Sequence, residues 1–272
     1  MITVVRTGMG GWTYEPWRGG FYPKGVRQAD ELAYASRQVT AIEINGTYHS
    51  LQKRASFAKW AAATPDDFVF SLKASRFCTN RKILAEAGPA IAKFFEQGLE
   101  ALGDKLGPIL WQFMPTKKFE RDDFAAFLDL LPRALDGCPL RHVVEVRHLS
   151  FVDPAFVDLC RQKNIAICLA DHATYPMIAD VTADFVYARL MTGEDRHPGA
   201  YGQKDLRLWA GRLALLASGG APPDLSMITE PAAARPRDVF AFIISGGKVH
   251  APIGAIALAK AVRSAVSAIS NA

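Results

Sequence analysis

The sequence predicts an α/β fold of eight parallel strands closed into a ring, a single TIM-like (β/α)8 barrel, on three observations. Strand-like and helix-like segments alternate along the whole 272-residue chain. Eight segments read as strands, the number such a ring needs. Polar side chains recur at alternate positions near the carboxyl ends of most of them, where a barrel gathers its chemistry. A barrel of roughly 250 residues uses nearly all of this length, so residues 1–272 are expected to form one domain.

In order, Thr3–Gly8 reads as strand one, followed by an aromatic loop from Gly11 through Trp12, Tyr14 and Trp17 to Pro23. Val26–Gln38 has apolar residues at helical spacing. Val39–Asn45 is strand two, Ser56–Ala63 a short helix, and Asp67–Lys73 strand three. Lys82–Leu102 reads as helical with a break near Gly88-Pro89, because proline lacks the amide and clashes with the preceding turn. Gly107–Phe113 is strand four and Arg121–Leu135 an amphipathic helix. After a turn with Gly137 and Pro139, the β-branched Val143, Val144 and Val146 define strand five within His142–Phe151. Asp153 is placed to cap a helix at Pro154–Lys163. Ile165–Asp171, Asp184–Leu190 and Arg237–Ser245 are strands six to eight, with helices at Lys204–Ala217 and Ile253–Ile269. The sixth unit is irregular, since Asp171 to Val181 is too short for a full helix.

Composition narrows the classes. An apolar content of 50% with 22% charged residues excludes wholesale disorder. The net charge of +5 biases the chain mildly toward anionic ligands. Cys78, Cys138, Cys160 and Cys168 form no Cys-x-x-Cys pair, so they read as reduced core thiols of a cytoplasmic protein. The N-terminus turns polar too early for a signal peptide. No apolar run is expected to reach the ~18–20 residues of a membrane helix, so no membrane is expected as a partner.

Strand parity assigns the inward-facing groups. Strand two pairs Glu43 with Asn45 on one face, strand three Ser71 with Lys73, strand five Glu145 with Arg147, and strand seven Tyr187 with Arg189. Strand four adds Gln112, strand six ends in Asp171, and strand one adds Arg6 by the same parity. A buried ion pair explains any one of these; convergence of so many favours a pocket. Lys73, Arg147 and Arg189, with Arg76 nearby, suit a phosphorylated or other anionic ligand. Glu43, Glu145 and Asp171 are the candidate catalytic carboxylates, better as bases than as acids beside these cations. Asn45, Gln112, His148 and Tyr187 complete the expected substrate contacts.

Trp12 can stack on a ligand, although packing over the barrel explains the aromatic loop equally well. Gly8-x-Gly10-Gly11 lacks dinucleotide spacing and reads as a tight turn. The polar loop Gly193–Gly202 suits a lid or a plain connector. The histidines show no metal-ligand spacing, so neither a metal nor another cofactor is expected.

Many short motifs in one order carry a family resemblance. They are Arg6-x-Gly8, Gly11-Trp12-x-Tyr14, Phe21-Tyr22-Pro23, Glu43-Ile44-Asn45-x-Thr47-Tyr48, Lys73-Ala74-x-Arg76-Phe77, Gln112-x-x-Pro115, Glu145-x-Arg147-His148-x-Ser150-Phe151, Asp171 and Tyr187-x-Arg189-Leu190. The chain resembles the YecE-like proteins, domain-of-unknown-function family 72, along essentially its whole length. The resemblance implies a TIM-like barrel with a polar cluster at the strand ends and implies no reaction. The sequence departs from the family pattern in having Asn80 for a histidine, Met191-Thr192 where a histidine precedes Gly193, and Ile243-Ile244 in place of an Asn-containing run.

The expected function is binding of a phosphorylated or other anionic substrate, with its processing by a hydrolase or isomerase type of enzyme as the catalytic form of that expectation. The alternatives are a non-catalytic barrel that binds an anion or nucleic acid, and, by fold analogy, a metal-dependent phosphodiester hydrolase. The sequence leaves the oligomeric state open.

Overall fold

The computed structural model describes residues 4–270. Met1, Ile2 and Thr3, the expected start of strand one, lie outside the described residues. The eight strands are β1 (Val5–Gly10), β2 (Ala41–Ile44), β3 (Val69–Lys73), β4 (Leu106–Gln112), β5 (His142–Glu145), β6 (Ala166–Asp171), β7 (Phe185–Leu190) and β8 (Asp238–Ile243). Each pairs in parallel with its neighbours in sequence, and β8 closes the ring onto β1.

The helices around the ring are α1 (Glu31–Ala35), α2 (Gly46–His49), α3 (Arg54–Ala62), α4 (Arg76–Thr79), α5 (Gly88–Phe95), α6 (Arg121–Asp129), α7 (Pro154–Gln162), α8 (Gln203–Ser218) and α9 (Ala251–Ser270). Several are shorter than the periodicity predicts. The helix expected over Val26–Gln38 becomes a tight turn at Gln28–Asp30 followed by the five-residue α1. In the Lys82–Leu102 stretch Pro89 opens α5, because a proline in the first turn sacrifices no hydrogen bond. Helix α6 stops at Asp129, and Ala134–Leu135 instead pairs antiparallel with Cys138–Pro139. Asp136 and Gly137 turn that ribbon with φ of 48° and 80°, the left-handed pair an Asp-Gly hairpin favours. Asp153 caps α7 as expected, its carboxylate accepting from the Ala155 amide at 2.7 Å.

The sixth unit has no helix between β6 and β7. Coil takes its place and is fixed by side chains. Thr182 Oγ1 donates to the Ile165 carbonyl at 2.6 Å and accepts from Ile167 N at 3.1 Å. Asp180, also buried, accepts from the amides of Ile228 and Thr229 at 2.7 and 2.9 Å. The buried Ile178 and Ala179 then cover the outer face of the strands.

Outward-facing strand residues such as Ile42, Leu72, Trp111, Val144, Leu169 and Leu190 form the main core under the helices. His142 belongs to this outer layer. Its Nδ1 accepts from Trp111 Nε1 at 3.1 Å, so the ring carries its proton on Nε2 and donates to the Pro132 carbonyl at 2.7 Å. A second apolar cluster, including Ala41, Leu110, Val143, Cys168, Phe185 and Phe240, plugs the barrel interior.

Gly8 and Gly10 lie within β1 rather than in a turn. A Cβ on Gly8 would fall 1.8 Å from the Ala41 carbonyl oxygen, so the ring closes there only without a side chain. Helix Lys248–Ile269 corrects one expectation: by length and a mean hydropathy of 1.4 it could cross a membrane. It packs on α8 and β1, with Ala251, Ala255, Leu258 and Val262 buried.

Candidate functional site

Above the apolar plug, the inward positions at the carboxyl ends of β2, β3, β4, β5 and β7 are polar. The alternation that buries Ile42, Leu72 and Val144 under the helices turns Glu43, Lys73 and Glu145 toward the axis.

Arg189 on β7 is the hub. It grips Glu43 of β2 through two parallel hydrogen bonds, Nε to Oε2 and Nη2 to Oε1, each 3.0 Å. Its Nη1 is ion-paired with Glu145 of β5 and lies 3.4 Å from Gln112 Oε1. Tyr187 donates to Glu43 Oε2 at 2.7 Å and meets Ser71 Oγ at 2.8 Å. Arg147 takes the other oxygen of Glu145, with Nε at 2.6 Å, and donates to Gln112. Each carboxylate is therefore saturated by arginine.

Burial alone would raise the Glu145 carboxyl, but Arg189 and Arg147 outweigh it and hold the group below its usual range. That rules it out as a proton donor near neutral pH. Arg189 runs the other way. Burial works against its charge, and Glu145 and Glu43 reverse that, raising the guanidinium well above its ordinary value. With both carboxylates on it and only 2% of it exposed, Arg189 has no face left for a ligand.

Lys73 stands apart. It is 9% exposed and, among the described residues, its ammonium makes neither a hydrogen bond nor an ion pair. Its Nζ sits 4.1 Å from the centre of the Tyr48 ring, whose hydroxyl accepts from Asn80 Nδ2 at 3.2 Å. Burial, then the like charge of Arg189, lowers the amine to about 8, against the pull of Glu43 and Glu145. Arg147 is the other cation with an open side. The Tyr175 ring lies over its guanidinium at 4.5 Å, and His172 stacks on Tyr175 at 3.6 Å and 8°.

The structure thus brings Glu43, Gln112, Glu145, Arg147, Tyr187 and Arg189 into one bonded array, with Lys73 within its electrostatic reach. Asn45 stands at the end of β2, where a Cβ on Gly10 would meet its Nδ2 at 2.9 Å. His148 turns to its own loop, Nδ1 accepting from Ser150 N at 3.1 Å. Arg76 is exposed on α4, 5.4 Å from the Phe77 ring.

Three expected residues lie elsewhere. Asp171 falls on the outer face of β6, accepting from Thr192 Oγ1 and Tyr201 Oη, both at 2.7 Å. It thereby pins the Gly193–Gly202 loop as a connector. Trp12 packs on Trp60 at 5.2 Å and Phe70 at 6.3 Å, outside the ring. Arg6 lines the opposite rim with Arg141 and Asp238, around a cavity of about 780 Å3. That cavity opens at the amino ends of the strands, which serve stability in such barrels.

Sequence parity missed Tyr48, Tyr175 and His172 as site neighbours. Tyr48 follows Glu43 and Asn45 closely enough to be suspected, whereas Tyr175 and His172 sit in irregular coil with no period to reveal them. Among the described residues no group of three or more His, Cys, Asp or Glu side chains is arranged to hold a metal ion.

Fold and site define an α/β barrel with a charged layer at the carboxyl ends of its strands. The family described as "Protein of unknown function DUF72" matches residues 6–272, and the chain belongs to that family. Its structure is similar to that of a DUF72 family protein from Thermotoga maritima, with a TM-score of 0.71, 22% identity, and 95% of this chain and 99% of that one covered. A DUF72 family protein from Enterococcus faecalis is similar with a TM-score of 0.69, 15% identity and 96% of each chain covered. At such identities these neighbours support the fold alone. No curated protein matches the sequence.

Proposed function

We propose that the strand-end pocket binds a small anionic ligand, phosphorylated or carboxylated, with Lys73 and Arg147 as its anchoring cations. One observation carries the reading. Lys73 is nearly buried yet, among the described residues, makes no ion pair, while Glu43 and Glu145 are already committed to arginines. A mostly buried lysine whose ammonium has no counter-ion is destabilised, and an incoming anion at its solvent-reached tip supplies the missing charge. Arg147 keeps a solvent-facing edge and adds a planar donor set suited to phosphate or carboxylate. Proton donation at this site falls to Lys73 rather than to Glu145, which is held ionised. The four cysteines are all free, which suits a reducing, cytoplasmic setting. Cys78, Cys160 and Cys168 lie in the core, whereas Cys138, against expectation, is exposed on the ribbon of residues 134–139.

The test is calorimetric titration with inorganic phosphate and with small sugar phosphates. Binding that weakens at least about tenfold in Lys73→Met, roughly 1.4 kcal/mol, supports the reading. Equal affinity in wild type and variant refutes it.

A second reading, binding of single-stranded nucleic acid, is favoured by Phe77. Its side chain is 62% exposed with Arg76 beside it, a stacking surface next to a cation. Oligonucleotide binding that falls with salt and is lost in Phe77→Ala would support it; salt-independent or absent binding would not.

A further inference from the structure

We infer that Lys73 forms a covalent, reversible imine with an aldehyde or ketone that carries a phosphate or carboxylate group. This rests on the anion reading above and deepens it by naming the reactive half of the ligand.

A lysine serves as a carbonyl nucleophile when its amine is desolvated, free of competing bonds and beside other cations. All three conditions meet at Lys73. Its side chain is buried in the barrel mouth, and its Nζ has no protein acceptor or ion-pair partner among the described residues. Other buried or partly buried amines of the chain are spent. Lys105 donates to the carbonyls of Ala61 and Thr64, each at 2.7 Å, and Lys117 to Asp123 at 2.8 Å. The Tyr48 ring beneath Nζ holds the amine in place through its face without occupying a lone-pair or hydrogen-bond direction. Burial and the charge of Arg189 bring the amine to about 8, so a useful fraction is unprotonated near neutral pH.

The neighbours fit the rest of such a ligand. Arg147, with one side open under Tyr175, holds the anionic group. The saturated Glu43 and Glu145 do not repel it, because each is neutralised by the arginine it binds. In the reaction the amine lone pair adds to the carbonyl carbon, and a carbon–nitrogen bond forms. The carbonyl oxygen then leaves as water, carrying two protons that began on nitrogen. An ammonium and a carbonyl thus give an iminium and one water, with charge and protons conserved. Hydrolysis reverses the step without an oxidant or reductant.

Reductive trapping tests the inference on the full-length protein. Wild type is incubated with glycolaldehyde phosphate and sodium cyanoborohydride, with glycolaldehyde as the uncharged control, and lysine adducts are located by peptide mass mapping. Lys73 is expected to be labelled at least about tenfold faster than the exposed Lys24 and Lys53, with a rate that levels off above about pH 8. Glycolaldehyde is expected to label Lys73 at least about tenfold more slowly than its phosphate. Mapping the wild type makes the result independent of whether a Lys73 variant folds. Labelling of Lys73 no faster than Lys24, in protein that still binds inorganic phosphate, overturns the imine and leaves the anion reading standing. Equal labelling of Lys73 by both probes, with no phosphate binding, overturns the anion reading and the substrate class named here.

Discussion

Arg189 and Glu43 join two non-adjacent strands of the ring, β7 and β2, by a pair of parallel hydrogen bonds of 3.0 Å each. Because Glu145 holds the remaining side of the same guanidinium, one arginine bridges two fully buried carboxylates, and Arg147 supplies the second positive charge. Arg189→Ala is therefore expected to destabilise the protein by roughly 3–5 kcal/mol, the cost of stranding buried charge. Urea unfolding measures it, and a loss below about 1 kcal/mol would show that the array is not needed for stability.

Arg147→Ala has a milder expected effect, since Glu145 keeps Arg189 when Arg147 is removed. A loss of roughly 1–2 kcal/mol is expected, together with weaker phosphate binding. Unfolding and titration of the same variant separate the two roles. A stability loss as large as that of Arg189→Ala, with unchanged phosphate affinity, would reassign Arg147 to structure alone.

Lys73 makes stability depend on alkaline pH. Burial, then Arg189, lowers its folded value to about 8, from an ordinary 10.5. Between those limits the unfolded chain binds the proton that the folded chain has released, so stability rises with pH. Below about pH 8 the penalty of the buried ammonium is fully present and constant. Wild type should gain up to roughly 3 kcal/mol relative to Lys73→Met between pH 8 and 10.5. Parallel stability profiles for the two proteins would show that Lys73 titrates normally.

His142 acts at the acid end. Burial lowers it to about 4, against the raising effect of its hydrogen bond to the Pro132 carbonyl. The unfolded chain takes up this proton near the ordinary 6.5, so stability is lost as pH falls from there to about 4. Nuclear magnetic resonance of the imidazole should show a neutral Nε2–H form down to about pH 4. A midpoint near 6.5 would contradict the assignment.

Asp171→Ala should release the Gly193–Gly202 connector and destabilise the protein by roughly 1–3 kcal/mol. Because the carboxylate faces away from the barrel axis, phosphate affinity should change by less than about twofold, under roughly 0.5 kcal/mol. A large loss of affinity would return Asp171 to the binding site.

These placements mark where the sequence can be read and where it cannot. Ser71 and Lys73 alternate with Phe70 and Leu72, so parity alone turns them inward. Strand β6 is apolar on both faces up to Ala170, leaving no alternation to fix the phase of Asp171. Glu43, Glu145 and Arg189 were each legible as inward groups. Their pairing was not, because which strands meet across the axis depends on closure of the whole ring. Trp12 was ambiguous for a simpler reason: an aromatic side chain suits a core and a ligand equally. Tyr175 reaches Arg147 from coil fixed by Thr182 and Asp180, contacts that local sequence does not announce.

The order in which the charged layer is synthesised has a consequence for how the chain matures. Glu43 and Glu145 leave the ribosome before Arg189, when Lys73 and Arg147 are the cations of the layer already made. A partial ring that buries Glu43 before β7 emerges lacks its paired guanidinium and is disfavoured, so closure is expected to wait for the seventh strand.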